Sequence, residues 1–85
     1  MKHAGQEALD SLESLLSEVR KRKSLTERSR GVFYLKSVAF LHFHEDPAGM
    51  FADLRMEKGW TRFPVSSQSQ RRVFLSNLAR VAPKT

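Results

Sequence analysis

The spacing of apolar residues divides the chain into a helical start, a run of strands and a helical end. In residues 6–23, leucine and valine recur three or four positions apart, which predicts an amphipathic helix. From Gly31 the apolar period falls to two, which predicts strands over residues 32–36, 39–44, 50–56 and 60–65. Ser67 and Gln70 have the spacing of a capping box and predict the start of a last helix.

These elements predict a two-layer α+β domain with the element order αββββα. An antiparallel β-meander of three to four strands would carry the N-terminal and the C-terminal helix on one face. A chain of 85 residues is short enough to form one domain, residues 1–85, with flexible ends at 1–5 and 83–85. The polar segment 24–30 is predicted to be a connector.

The central hairpin has a register that can be predicted from its turn. Asp46–Gly49 has the residue types of a type I turn. Pairing the two ends of this turn sets His42 opposite Asp53 and Leu41 opposite Leu54. A slip by one residue would mix charged with apolar positions, so turn chemistry and alternation select the same register.

The next hairpin is predicted to turn at Lys58-Gly59. That turn would place Asp53 opposite Pro64, and it would place Arg55 opposite Arg62.

This register gives the sheet two unlike faces. One face is apolar and can be covered by both helices. The other, called the outer face below, mixes aromatic with titratable side chains, and no further amphipathic segment of the chain could cover it. Its predicted members are Phe40, His42, His44, Phe51, Asp53, Arg55, Trp60 and Arg62. An exposed patch of this kind is typical of an interface or a ligand surface.

Composition adds a charge preference and excludes some chemistry. Lys and Arg number 15 against 9 Asp and Glu, and the net charge of +6 favours phosphate or acidic partners. Because there is no cysteine, disulfides and thiolate metal sites are excluded. The apolar runs are too short to span a bilayer and the N-terminus lacks a signal-peptide core. We therefore expect a cytoplasmic protein without membrane association.

Candidate chemistry is concentrated in the central hairpin. Two imidazoles and a carboxylate, from His42, His44 and Asp53, are candidate metal ligands. The His42–Asp53 pair could also orient a general base, although a hydrogen-bonded structural pair is the simpler interpretation. No catalytic residue is assigned, and no cofactor is expected.

Three functions are compatible with the outer face. The leading interpretation is a non-enzymatic interaction module that forms a homodimer through Phe40, Phe51 and Trp60. The first alternative is a nucleic-acid-binding domain that uses the same rings with Arg55 and Arg62. The second alternative is a His- or metal-dependent enzyme. The basic run 20–23 could bind phosphate, but its place at a helix end also complements the helix dipole.

One part of the chain resembles known proteins. The pattern resembles one found in small uncharacterised bacterial proteins, and it consists of Phe33, Lys36, Phe40–Asp46, Gly49, Ala52–Leu54 and Phe63. The alternation of strand, turn and strand also resembles YjbR-like domains, which implies DNA binding. The resemblance covers residues 33–65 and implies no individual site residue.

Overall fold

The computed structural model describes residues 2–83, which form three helices and six strands. The elements are β1 (Lys2–His3), α1 (Gln6–Ser11), α2 (Glu13–Arg20), β2 (Leu25–Ser29), β3 (Val32–Leu35), β4 (Val38–Asp46), β5 (Gly49–Met56), β6 (Gly59–Pro64) and α3 (Gln68–Val81). The α+β class with helices near both ends is confirmed. The predicted three to four strands are too few, because β1 and β2 were not recognised.

The strands form one antiparallel sheet in the order β2-β3-β4-β5-β6. The short strand β1 pairs with β4 at His44 and Glu45, beyond the last residue that β3 pairs, His42. The amide of Ala4 extends this pairing by donating to the carbonyl of Phe43 at 3.0 Å. Residues 2–4, part of the segment 1–5 predicted to be flexible, therefore pair with the sheet, and their flexibility stays a prediction. Met1, Lys84 and Thr85, also predicted to be flexible, lie outside the described residues.

Strand β2 replaces the connector predicted for residues 24–30. Its Glu27 accepts from Nε of Arg20 at 2.7 Å, and the guanidinium of Arg28 lies 4.1 Å from the ring centre of Tyr34. Edge strands are commonly short and charged, because such residues discourage pairing with another chain. The polar composition of residues 24–30, which suggested a connector, is therefore explained by an edge strand.

The predicted β4–β5 register is confirmed from Asp46 opposite Gly49 to Leu41 opposite Leu54. The β5–β6 register is wrong by two residues, because the turn lies at Glu57-Lys58 rather than at Lys58-Gly59. Asp53 therefore pairs with Arg62, and Arg55 pairs with Trp60.

Strand β4 contains a β-bulge at Phe40. On β3, Phe33 pairs with Leu41 and the next residue, Tyr34, pairs with Ala39, which leaves Phe40 as the extra residue. Because a bulge interrupts the alternation of sides, Phe40 lies in the core beside Leu41 and is only 4% exposed. The assignment of Phe40 to the outer face is therefore wrong.

The core lies between the helices and one face of the sheet. Its fully buried members include Leu12, Leu16, Val19, Phe33, Leu41, Phe43, Leu54, Val65, Phe74 and Leu78. The helix predicted over 6–23 is interrupted at Leu12 and ends at Arg20. The predicted capping box of α3 is confirmed: the amide of Gln70 donates to Ser67 Oγ at 3.2 Å, and Gln70 Oε1 accepts from the amide of Ser67 at 3.0 Å.

Candidate binding face

The outer face is formed by alternate residues of β3 to β6, with β1 at one side. It brings together seven of the eight predicted site residues: His42, His44, Phe51, Asp53, Arg55, Trp60 and Arg62. The eighth, Phe40, is absent because the bulge directs it into the core. No helix of the described residues is long and apolar enough to cross a membrane.

Three imidazoles form a cluster on this face. The ring of His3 stacks on that of His44 with centres 4.8 Å apart, and it lies 5.7 Å from the ring of His42. His3 was not predicted as a site residue because a two-residue strand has no recognisable period. Its position follows from the pairing of β1 with β4 at His44.

Asp53 lies near the centre of the face and is held by a guanidinium. Arg62 donates to both carboxylate oxygens, from Nε at 2.8 Å and from Nη2 at 2.9 Å. Nε2 of His44 lies 3.1 Å from Oδ2 of the same carboxylate. The predicted contact of Asp53 with His42 is therefore wrong, although the two residues are Cα partners. The hydrogen bonds from Arg62 lower the pKa of Asp53, so this carboxylate is ionised and its charge is compensated.

A row of rings and cations runs beside the cluster. The ring of His42 lies 5.0 Å from that of Trp60, and the guanidinium carbon of Arg55 lies 4.5 Å from the Trp60 ring centre. Nε of Arg55 also donates to the carbonyl of Ala39 at 2.7 Å. This bond fixes Arg55 next to the bulge. Trp60 is still 44% exposed, so the indole is accessible.

A second arginine–aromatic pair lies toward the other edge of the sheet. Tyr34 is on the outer face, because its neighbour Phe33 points into the core. The guanidinium of Arg28 covers the Tyr34 ring. Sequence reasoning missed this pair because it assigned Arg28 to a connector. The alternation in 32–35 nevertheless already placed Tyr34 on the other face of the sheet from Phe33.

The metal hypothesis gains no geometric support. Within residues 2–83, no three His, Asp or Glu side chains are arranged to hold a metal ion. Of the predicted ligands, Asp53 is engaged by Arg62 and His42 is turned toward Trp60. A His- or metal-dependent enzyme stays a prediction from the sequence.

The surroundings of His42 predict that the stability of the domain depends on pH. Burial, followed by the charges of His3 and His44, lowers the pKa of His42, and the carboxylate of Asp53 only partly opposes this. In the unfolded chain histidine titrates near about 6.5, so between the two pKa values the unfolded state binds more protons. The free energy of unfolding therefore falls as the pH is lowered through this window. Asp53 contributes in a separate window below about pH 4, where its stabilising charge is lost.

Replacement of His42 tests this dependence. We expect His42→Gln to lose less stability than the wild type between about pH 7 and about pH 5, because glutamine does not titrate. Urea unfolding at both pH values measures the difference, and Val73→Ala on the exposed surface of α3 is the control, since it changes no titratable group. An unchanged loss in His42→Gln would show that His42 does not control acid stability.

Comparison of the chain with known protein families, curated proteins and solved structures finds no match. The resemblances to small bacterial proteins and to YjbR-like domains gain no support from these comparisons. The function is therefore argued from the outer face alone.

Proposed function

We propose that the protein is a non-enzymatic binding module whose outer face binds single-stranded nucleic acid. The observation that carries this proposal is the presence of two arginine–aromatic pairs on one sheet face, Arg55 with Trp60 and Arg28 with Tyr34. Unpaired bases stack on aromatic rings and on guanidinium planes, and the same arginines can contact phosphate. The histidine cluster lies beside the Arg55–Trp60 pair and offers further rings and donors.

The charge on this face favours a polyanion. A carboxylate at mid-face would repel phosphate, but Asp53 is neutralised by two hydrogen bonds from Arg62. Asp46 lies farther out, at the end of the β4–β5 hairpin. Arg28 and Arg55 lie against rings, and among the described residues neither forms an ion pair, so their positive charge remains available.

The basic run at the end of α2 is less suited to phosphate. Arg20 donates to Glu13 at 2.6 Å and to Glu27 at 2.7 Å, and Lys21 donates to Glu18 at 3.0 Å. Phosphate would have to compete with these carboxylates, whereas within residues 2–83 Arg55 is paired with no carboxylate. We therefore place the nucleic acid on the sheet and not at the helix end.

Self-association through the same face, the leading interpretation of the sequence, stays a prediction. It depended on three exposed aromatic residues, and the burial of Phe40 removes one of them. A two-fold dimer would also place the arginines and histidines of one copy close to those of the other. Both features weaken an apolar homodimer relative to nucleic-acid binding.

Fluorescence anisotropy with a labelled single strand of mixed sequence, about 12 nucleotides long, tests the proposal. We expect binding that weakens steeply as salt is raised.

Trp60→Ala should weaken binding of the oligonucleotide about 5- to 150-fold, the equivalent of about 1–3 kcal/mol for one stacked base. Asp53→Asn should strengthen binding, because it removes the acidic charge at mid-face. Val73→Ala, on the exposed surface of α3, is the matched control and should bind like the wild type.

Salt separates nucleic-acid binding from self-association. Raising the salt concentration should weaken nucleic-acid binding, because it depends on phosphate contacts, but it should not weaken a homodimer that brings like charges together. Sedimentation of the protein alone over the same range of salt concentration measures the second effect. A dimer that Trp60→Lys dissociates, combined with no binding of the oligonucleotide at low salt, would reject our proposal in favour of self-association.

A further inference from the structure

A second surface feature lies at the end of the sheet, away from the histidine cluster. It is a groove of about 690 Å³ between the β3–β4 turn, the β5–β6 turn and the last turn of α3. Its lining is mostly apolar and includes Leu35, Val38, Phe40, Met56 and Val81. Val38 is 49% exposed, so an apolar side chain is accessible there. The volume lies within the range of about 300–1,000 Å³ that is typical of ligand sites.

Two local departures from regular structure form this groove. The bulge of β4 turns Phe40 away from the outer face and places its ring in the groove lining. Lys36, in the two-residue turn between β3 and β4, has φ 58° and is the only non-glycine residue of the described chain with positive φ. A positive φ is common in two-residue hairpin turns, whereas bulges are over-represented next to active sites because they redirect side chains. The bulge is therefore the feature that favours a binding site here.

The charges around the groove are mostly positive. The described lining contains three cationic side chains, Lys36, Arg55 and Arg80, and one acidic side chain, Glu57. A mostly apolar lining that also carries these cations is complementary to a molecule with an apolar body and a single anionic group. A carboxylate suits guanidinium and ammonium donors, which form charge-assisted hydrogen bonds with it.

We propose that this groove binds a small amphiphilic carboxylate of the fatty-acid type. The alkyl chain lies along Phe40, Met56 and Val81, and the carboxylate lies near Lys36 and Arg80. The proposal is independent of the nucleic-acid proposal, because its apolar residues are not on the outer face. Arg55 alone contributes to both surfaces.

Titration of the ¹⁵N-labelled protein with decanoate, followed by NMR, tests this site. We expect saturable shifts of the amides of Val38, Met56 and Val81. Decylammonium has the same chain with the opposite charge and should bind about tenfold or more weakly, and acetate should not bind measurably. Shifts that do not saturate, shifts confined to other surfaces, or equal affinity for decanoate and decylammonium would overturn the proposal.

Two exposed valines provide a matched pair of variants. Val38→Asp places a carboxylate in the lining and should lower decanoate affinity about tenfold or more. Val73→Asp makes the same change on α3, where the valine is 57% exposed and outside the groove, and should leave affinity unchanged. Arg28→Ala removes one arginine–aromatic pair of the outer face and lies outside the groove lining, so it should also leave decanoate affinity unchanged. This variant keeps failure of the groove distinct from failure of the nucleic-acid face.

Lys36→Gly provides a second variant of the groove, and it introduces no new charge that could unfold the protein. Glycine adopts φ 58° without steric cost, so the melting temperature should stay the same or rise. Loss of the ammonium group should nevertheless weaken decanoate binding several-fold. If both Lys36→Gly and Val38→Asp bind decanoate as tightly as the wild type, the groove is not the site.

Discussion

Phe74→Ala should destabilise the domain by about 3–5 kcal/mol, the range for loss of a buried phenylalanine. Phe74 is fully buried on α3, and its ring meets those of Phe43 and Phe63 edge-on, each at 6.0 Å between centres. These contacts link α3 to β4 and β6. A domain of this length has a total stability of about 4–13 kcal/mol, so the substitution removes between about a quarter of it and all of it.

Urea unfolding followed by circular dichroism measures this loss, and the preceding residue provides the control. Val73 is also on α3 but is exposed, so Val73→Ala should change the free energy of unfolding by less than about 0.5 kcal/mol. Similar losses in the two variants would mean that α3 does not present Phe74 to the sheet.

The central hairpin shows what alternation and turn chemistry can establish. Asp46 and Gly49 fix the turn, and the amide of Ala48 donates to Asp46 Oδ1 at 3.0 Å. A slip by one residue would exchange Leu41 and Phe43 for histidines in the core, so burial enforces the same register. Two independent requirements agree here, which is why the pairing could be predicted to the residue.

The β5–β6 register was wrong because alternation cannot detect a slip of two residues. A shift by two leaves every side chain on its own face, so the hydrophobic pattern is equally satisfied in both registers. Charge could have separated them. The predicted register set Arg55 opposite Arg62, whereas the observed one sets Asp53 opposite Arg62 and Arg55 opposite Trp60. Opposite charges across a strand pair stabilise it and like charges destabilise it.

The histidine site was only partly predictable for a related reason. The Cα register of His42 and Asp53 was correct, but register does not determine which diagonal neighbour a side chain selects. With Arg62 opposite Asp53, the carboxylate is drawn into a pair with Arg62 and His44. His3 joins the cluster through β1. This strand has two residues and is too short to show an alternation of polar and apolar positions in the sequence.

Phe40→Thr should cost about 3–5 kcal/mol, close to the loss for truncating a fully buried phenylalanine. Uninterrupted alternation would put this residue on the outer face, where a β-branched polar residue is well tolerated. The bulge instead buries the ring, and the freed carbonyl of the preceding Ala39 accepts from Arg55. Threonine at this position would leave a void and a hydroxyl group in the core.

Phe51→Thr is the control for this prediction, because Phe51 lies half-buried on the outer face. It should cost less than about 1.5 kcal/mol. Thermal and urea unfolding of the two variants therefore distinguishes the bulged strand from a regular one. Equal and small losses would place Phe40 on the outer face and restore the third aromatic residue on which the homodimer prediction depended. A large loss confined to Phe40→Thr would mean that Phe40 is not available on the outer face. The rings left for binding would then be those of Phe51, Trp60, Tyr34 and the histidines. This is the composition that the nucleic-acid proposal assumes.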